Sequence, residues 1–218
     1  REVGISSPSI TKVPLNILWR QCSEFTWLKP NTSDKINLIE AVCQEHILDE
    51  LKIKQSDKEL SFKTKKANGC NEQITIYTDT KSIKNIEIKS VGSIKIHNPI
   101  VTSKLEIKSS SVGSLSIDNV TLSHLDITTS SVGSVKIHSG LVHTLSNIEV
   151  GGTGKVDVKN VDTKEIDVNI RSVGKLVCSA YDKATGKRTS IGDCVLHKKN
   201  DYMNINISSN SLGKLVLK

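Results

Sequence analysis

Five acidic residues, Glu87, Glu106, Asp126, Glu149 and Asp167, each stand at the centre of an apolar–acid–apolar triplet such as Ile86-Glu87-Ile88 or Leu125-Asp126-Ile127. On a strand, such a triplet sends both apolar residues to one face and the acid to the other, so the five acids are expected to form an outward column. Glycoside hydrolysis needs two carboxyl groups at a defined separation, which makes this column the candidate for polysaccharide cleavage. A catalytic cleft, however, breaks a regular scaffold with bulky walls and convergent polar groups, and nothing of that kind interrupts the column. Lys89, Lys108 and Lys136 hold neighbouring outward positions as ion-pair partners. The expectation is regular decoration with no catalytic residue. His97 and His138 occupy equivalent positions with Asp118 between them, a pattern too spread for a metal site, and no Ser-His-Asp set, phosphate loop or calcium-binding nonapeptide occurs. No metal and no cofactor are expected.

The five cysteines, Cys22, Cys43, Cys70, Cys178 and Cys194, show no CxxC pair and no histidine at zinc spacing, so disulfides are the better expectation. A hairpin of residues 21–28 with 36–43 about Pro30-Asn31-Thr32-Ser33 brings Cys22 opposite Cys43 at bridging distance. Cys178 with Cys194 would staple the segment between them, although its place in an apolar column also suits Cys178 to the core as a small hydrophobe. Asn31-Thr32-Ser33, Asn119-Val120-Thr121 and Asn206-Ile207-Ser208 satisfy the N-glycosylation pattern, making Asn31, Asn119 and Asn206 candidate sites. The chain starts at Arg1 rather than Met, as a processed chain does. Together these features point to an extracellular or cell-surface protein.

Composition bounds what can carry such sites. In 218 residues, 36% are apolar but only 3% aromatic, so the core must be built from Ile, Val and Leu, which favours strands. No apolar run is long enough for a membrane helix. Net charge is +7, spread along the chain and dominated by lysine. That distribution suits anionic cell-surface material better than nucleic acid, where clustered arginine is expected.

What positions the side chains is an internal repeat. Ser90-Val91-Gly92-Ser93, Ser111-Val112-Gly113-Ser114, Ser131-Val132-Gly133-Ser134, Gly152-Thr153-Gly154-Lys155 and Ser172-Val173-Gly174-Lys175 recur with glycines 21, 20, 21 and 20 residues apart. Ser211-Leu212-Gly213-Lys214 follows after 39 residues, close to two further periods. Before each phrase the apolar residues align as Ile86, Leu105, Leu125, Ile148 and Ile166, and as Ile88, Ile107, Ile127, Val150 and Val168. After it come Ile94, Leu115, Val135, Val156, Leu176 and Leu215, then Ile96, Ile117, Ile137, Val158, Cys178 and Leu217. A third short strand is suggested by Val120-Thr121-Leu122. Strands this short cannot bury an apolar side alone, whereas stacked copies form parallel sheets with continuous ladders inside. The expected fold is an all-β parallel β-helix of about 20 residues per coil, with the repeat glycines at corners of positive φ.

The expected organisation is an N-terminal arm at 1–14, an irregular β part at 15–80 that caps the solenoid, and regular coils at 81–218 with an insertion at 179–200. Trp19, Phe25, Trp27, Phe62 and Tyr77 concentrate in the cap; an aromatic ligand platform of Trp19 and Trp27 is the alternative. Glu45 to Leu51 reads equally as a helical turn or a loop. The strand Leu215-Val216-Leu217 stops in mid-pattern and Val3-Gly4-Ile5-Ser6 echoes the corner phrase. Head-to-tail homopolymerisation, with the arm adding a strand to a neighbour, is expected on that basis; a trimmed cap or following domain is the competing reading.

The order of a polar–apolar hairpin, Leu60-Ser61-Phe62, Ile74-Thr75-Ile76, and then coils with an apolar pair, a small residue, a glycine and another apolar pair resembles the auto-transporter adhesin head domain family, also called the GIN domain. The resemblance covers about residues 15–178, and Gly151-Gly152-Thr153-Gly154 matches the family's usual corner phrase best. It implies a right-handed single-stranded β-helix with no established catalytic residues. The leading functional expectation is a non-enzymatic extracellular structural or adhesive solenoid, which is a homo-oligomer or polymer. A carbohydrate-binding module that takes glycans stands second, and a polysaccharide-degrading enzyme third.

Overall fold

Alternating Ile and Val along short segments leave one face that only a neighbouring strand of the same kind can cover. The chain meets that constraint in a computed structural model describing residues 2–7, 16–20, 25–29, 31–34, 38–44, 52–55, 59–63, 73–77, 83–89, 93–110, 112–130 and 132–218. All elements among these residues are strands. The N-terminal part holds β1 (Glu2–Ser7), β2 (Asn16–Arg20), β3 (Phe25–Lys29), β4 (Leu38–Gln44), β5 (Lys52–Gln55), β6 (Glu59–Lys63) and β7 (Gln73–Tyr77). The regular part continues with β8 (Asn85–Ile88), β9 (Ser93–Ser109), β10 (Ser114–Thr129), β11 (Ser134–Ile137), β12 (Gly140–Val150), β13 (Lys155–Asp157) and β14 (Val161–Ile170). It ends with β15 (Lys175–Ala180), β16 (Lys183–Ser190), β17 (Asp193–Lys198), β18 (Asn204–Ser211) and β19 (Leu215–Leu217).

From β8 onward every pairing is parallel, and the chain advances one coil at a time as a β-solenoid. Three faces are distinguishable. The first carries Ile94, Leu115, Val135, Val156, Leu176, Cys194 and Leu215 in register. The second carries Ile100, Val120, Gly140 and Val161. On the third run Leu105, Leu125, Ser146, Ile166 and Ala184, beside Ile86, Ile107, Ile127, Ile148, Val168 and Gly186. The Ile, Val and Leu side chains of these ladders are buried from Ile86 through Leu176.

The third-face register corrects the columns expected from the triplets. Ile86 aligns with Ile107 rather than Leu105, and Ile148 with Ile127 rather than Leu125. Each coil carries three inward positions here, as in Leu125, Ile127 and Thr129, so two choices of apolar pair were open. Segment 179–200, expected as an insertion, carries β16 and β17 in parallel register with the coils on both sides. Gly192 opens β17, 18 residues after Gly174 and 21 before Gly213.

The glycines also differ from expectation. Among the described residues the positive-φ glycines are Gly140, Gly152 and Gly186, and the corner glycines at 113, 133, 154, 174 and 213 are not among them. Close approach between coils explains two of the corners instead. A Cβ on Gly213 would stand 2.2 Å from the Gly192 carbonyl oxygen, and one on Gly174 2.6 Å from a Val150 methyl.

The N-terminal part stacks out of sequence order. β2 lies between β6 and β8, and β3 between β7 and β9, all parallel. Antiparallel strands then cover the β6–β7 coil: β5 on β6, β4 on β7, and β1, the strand of the expected arm, on β4 within the same chain. The hairpin that would place Cys22 opposite Cys43 does not form, because β7 lies between β3 and β4 and both sides of β3 are taken by coil strands. Cys43 instead pairs with Val3. Cys22, Cys70 and residues 45–51 lie outside the described residues, as do the side chains of Trp19 and Trp27.

Fully buried ladder positions should dominate stability. Ile137→Ala, which empties part of a packed column, is expected to cost about 2–5 kcal/mol, whereas Ser114→Ala on the outer face should stay within about 0.5 kcal/mol. Equal losses in denaturant melts would contradict the assignment of the two faces.

Candidate functional site

The outward side of the third face holds the acids, but in two rows. Glu106, Asp126, Asn147 and Asp167 align in one. The other is Glu87, Lys108, Thr128, Glu149 and Asn169. The single expected column is thus divided by the register that corrects the apolar columns. Between the rows of β9, β10, β12 and β14 lies an open trough of about 350 Å³, lined by Glu106, Asp126, Thr128, Asn147, Glu149 and Asp167 among others.

Cations, an amide and a hydroxyl brace the rows, the Lys108–Glu106 pair within β9 and the others between neighbouring coils. Lys104 Nζ meets Asp126 Oδ2 at 2.6 Å, Lys108 Nζ meets Glu106 Oε1 at 2.7 Å, and Arg171 pairs with Glu149. Asn147 Nδ2 donates to Asp126 Oδ1 at 2.8 Å, and Thr185 Oγ1 donates to Asp167 Oδ1 at 2.8 Å. At Asp126 partial burial pulls the carboxyl pKa upward, but hydrogen bonds from Lys104 and Asn147 and the Lys104 charge outweigh it, holding the group below its ordinary value. The same contact raises Lys104. Asp126 is therefore ionised at neutral pH, the opposite of what a general acid requires.

Other sequence candidates are placed as follows. His97 Nδ1 lies 3.0 Å from Asp118 Oδ2, while His138 Nε2 meets Ser116 Oγ at 2.8 Å, so the two histidines have separate partners. Among the described residues no three His, Cys, Asp or Glu side chains gather to hold a metal ion. Asn31 and Asn206 are exposed, and Asn119 is half-buried and donates to Ser139 Oγ at 2.9 Å. Cys178 and Cys194 are buried free thiols, on the adjacent strands β15 and β17 but offset by two residues. The row Ser93, Ser114, Ser134, Lys155 and Lys175 continues to Asp193, whose carboxylate accepts a hydrogen bond from the Lys214 amide at 2.8 Å.

One surface feature went unread in the sequence. Val112, Val132, Val173, Ile191 and Leu212, at the corner, are 48–91% exposed and recur along the stack, interrupted at Thr153. Its signal was present: the corner phrase repeatedly carries an apolar residue immediately before its glycine.

A stack of parallel coils with apolar ladders inside and polar rows outside defines a β-solenoid that presents repeated surface rows. The chain belongs to the family described as "Putative auto-transporter adhesin, head GIN domain", which it matches over residues 31–199. Among solved structures it is similar to a protein from Bacteroides fragilis NCTC 9343 described as a "putative adhesin", at 19% identity with a TM-score of 0.87, covering 100% of this chain and 97% of that one. It is also similar to a protein from Parabacteroides distasonis ATCC 8503 described as lipid binding, at 16% identity and a TM-score of 0.69, covering 100% and 96%. A second protein from that organism, described as a "putative adhesin", gives 12% identity and 0.70, covering 100% and 97%. These likenesses show the fold. No curated protein matches the chain. Among the described residues no helix is long and apolar enough to cross a membrane.

A folded pKa below the ordinary carboxylate value means that the Asp126 contacts stabilise the fold above that value and lose their effect as pH falls through the lowered one. Lys104→Met should move the Asp126 titration, followed by carboxyl NMR, toward higher pH. An unchanged titration would remove Lys104 as a cause.

Proposed function

We propose that this adhesin-like solenoid is a non-enzymatic extracellular or cell-surface protein whose trough binds a neutral, hydroxyl-rich glycan. The observation that carries the reading is the trough itself, where carboxylates, amides and a threonine hydroxyl repeat coil by coil, at a strand spacing of about 4.8 Å. Carboxylate and amide oxygens accept from sugar hydroxyls, and amide nitrogens donate to them. An acidic trough disfavours anionic glycans, and an ionised, lysine-paired Asp126 disfavours acid-catalysed cleavage. Family membership supports adhesion as the role. Screening the protein on glycan arrays and soluble polysaccharides should give saturable binding to one class of neutral glycan, lost in an Asn147→Ala, Asp167→Ala double variant whose circular dichroism is unchanged. Binding that survives in the variant, or none at all, sinks the trough reading; release of reducing ends overturns the non-enzymatic one.

End-to-end assembly is a second reading with its own observation. Among the described residues β18 and β19 pair on one side only, with β16 and β17, and Ile205, Ile207 and Leu215 are half-buried there. Strands with one free edge and incompletely covered apolar residues favour addition of a further coil, which in this reading comes from a second copy. Electron microscopy of concentrated protein should show rods that disappear with Ile205→Asp, Ile207→Asp. Monodisperse monomers in the unaltered protein would rule the assembly out.

A further inference from the structure

Arg188 is a buried cation without an anion. It is 3% exposed; its Nη2 donates to Ser209 Oγ at 2.9 Å, its Nη1 to the Gly192 carbonyl at 3.4 Å, and its Nε has no partner. Among the described residues no carboxylate pairs with it. A guanidinium withdrawn from water requires a compensating charge or a full set of acceptors.

The group able to supply that charge is Cys194. Its thiol and that of Cys178 have no exposed surface. Cys194 stands opposite Leu176 and Cys178 opposite Leu196, so the two cysteines are diagonal neighbours on β15 and β17. The neighbouring Cys178 thiol, joined by the Arg188 charge, holds the Cys194 pKa below its ordinary value against the effect of burial. The same thiol pairing, together with burial, pushes Cys178 well up. One sulfur is thus prepared as a nucleophile, the other as a proton-bearing partner.

We propose that Cys194, Cys178 and Arg188 form an oxidation site at which a small hydroperoxide converts the two thiols into an intramolecular disulfide. The Cys194 thiolate attacks the terminal peroxide oxygen; the O–O bond breaks, and the departing oxygen takes a proton to leave as an alcohol or, from hydrogen peroxide, as water. Cys194 is then a sulfenic acid. The Cys178 sulfur attacks the Cys194 sulfur, the S–O bond breaks, and hydroxide leaves with the Cys178 proton as water. Two thiols have lost two electrons and two protons, and the peroxide has accepted both electrons. Burial admits a small oxidant in preference to a bulky disulfide. Diagonal strand neighbours lie about 7–8 Å apart, slightly beyond the usual disulfide span, so the bridge must draw β15 and β17 together and is readily reduced.

The test treats the folded, reduced protein with hydrogen peroxide, then denatures and alkylates it and maps the peptides. A cross-link between the Cys178 and Cys194 peptides, reversed by dithiothreitol, is expected. In Cys178→Ser, dimedone should trap a sulfenic acid at Cys194, whereas Cys194→Ser should leave Cys178 unreacted. Both thiols remaining alkylatable after peroxide overturns the site, and so does Cys178 reacting in Cys194→Ser as fast as Cys194 does in the converse variant. Arg188→Met should slow oxidation several-fold, with Arg188→Lys restoring it. An unchanged rate in folded Arg188→Met removes Arg188 from the site, and the cysteine variants test the pair should Arg188→Met fail to fold.

Discussion

Everything in this molecule depends on the parallel register between successive coils. A strand such as β11, four residues long, buries only Val135 and Ile137. Alone it could not compensate the conformational entropy of ordering its backbone. Stacked between β10 and β13 it becomes a link in apolar ladders that run through the regular part, with its amide and carbonyl groups satisfied on both sides. Because side chains alternate with a period of two, this register also fixes the outer surface: a slip of one residue would exchange ladder and trough. The rows that bear on function are thus set by the packing of the interior.

The same dependence explains which features were readable in advance. The period, the parallel stacking and the inward placement of Ile94, Leu115, Val135, Val156 and Leu176 follow from glycine spacing and alternation, which are local properties of the chain. The register of the third face did not follow, because it has three inward positions per coil and polar residues fill some of them. Ser109 and Thr129 align with Ile88 and Val150, and both are buried. A pattern search for apolar pairs passes over such positions and pairs the wrong rungs. The β16–β17 coil was obscured for a related reason, since Ala184 and Gly186 occupy its ladder positions where other coils have Ile or Val.

Two further features lay beyond any local signal. Spatial order in the N-terminal part departs from chain order, with the β2–β3 coil between β6–β7 and β8–β9, and no spacing within the sequence encodes that insertion. Nor does a glycine declare why it is required. Positive φ and close approach both select glycine, and only the neighbouring coil distinguishes them: at Gly213 the obstacle is the backbone of Gly192, which belongs to the coil before.

The ladder also changes character along its length, and that change locates the buried charge. At three successive inward positions Ile166, Val168 and Ile170 give way to Ala184, Gly186 and Arg188 on the next coil. Side-chain volume falls at the first two and rises at the third. At Gly186 the coils approach so closely that a Cβ would lie 1.9 Å from the Val168 carbonyl oxygen, so the backbone occupies space that a valine fills one coil earlier. The long Arg188 side chain enters the interior where the apolar column stops, and its guanidinium reaches Ser209 and the Gly192 carbonyl rather than solvent. A stack selected only for packing would continue with Ile or Val there. Arginine in that column carries a desolvation cost that one cross-coil hydrogen bond, to Ser209, and one local bond, to the Gly192 carbonyl, only partly offset. Its charge acts on the Cys194 thiol, which gives the buried guanidinium a chemical partner that an aliphatic side chain would not need.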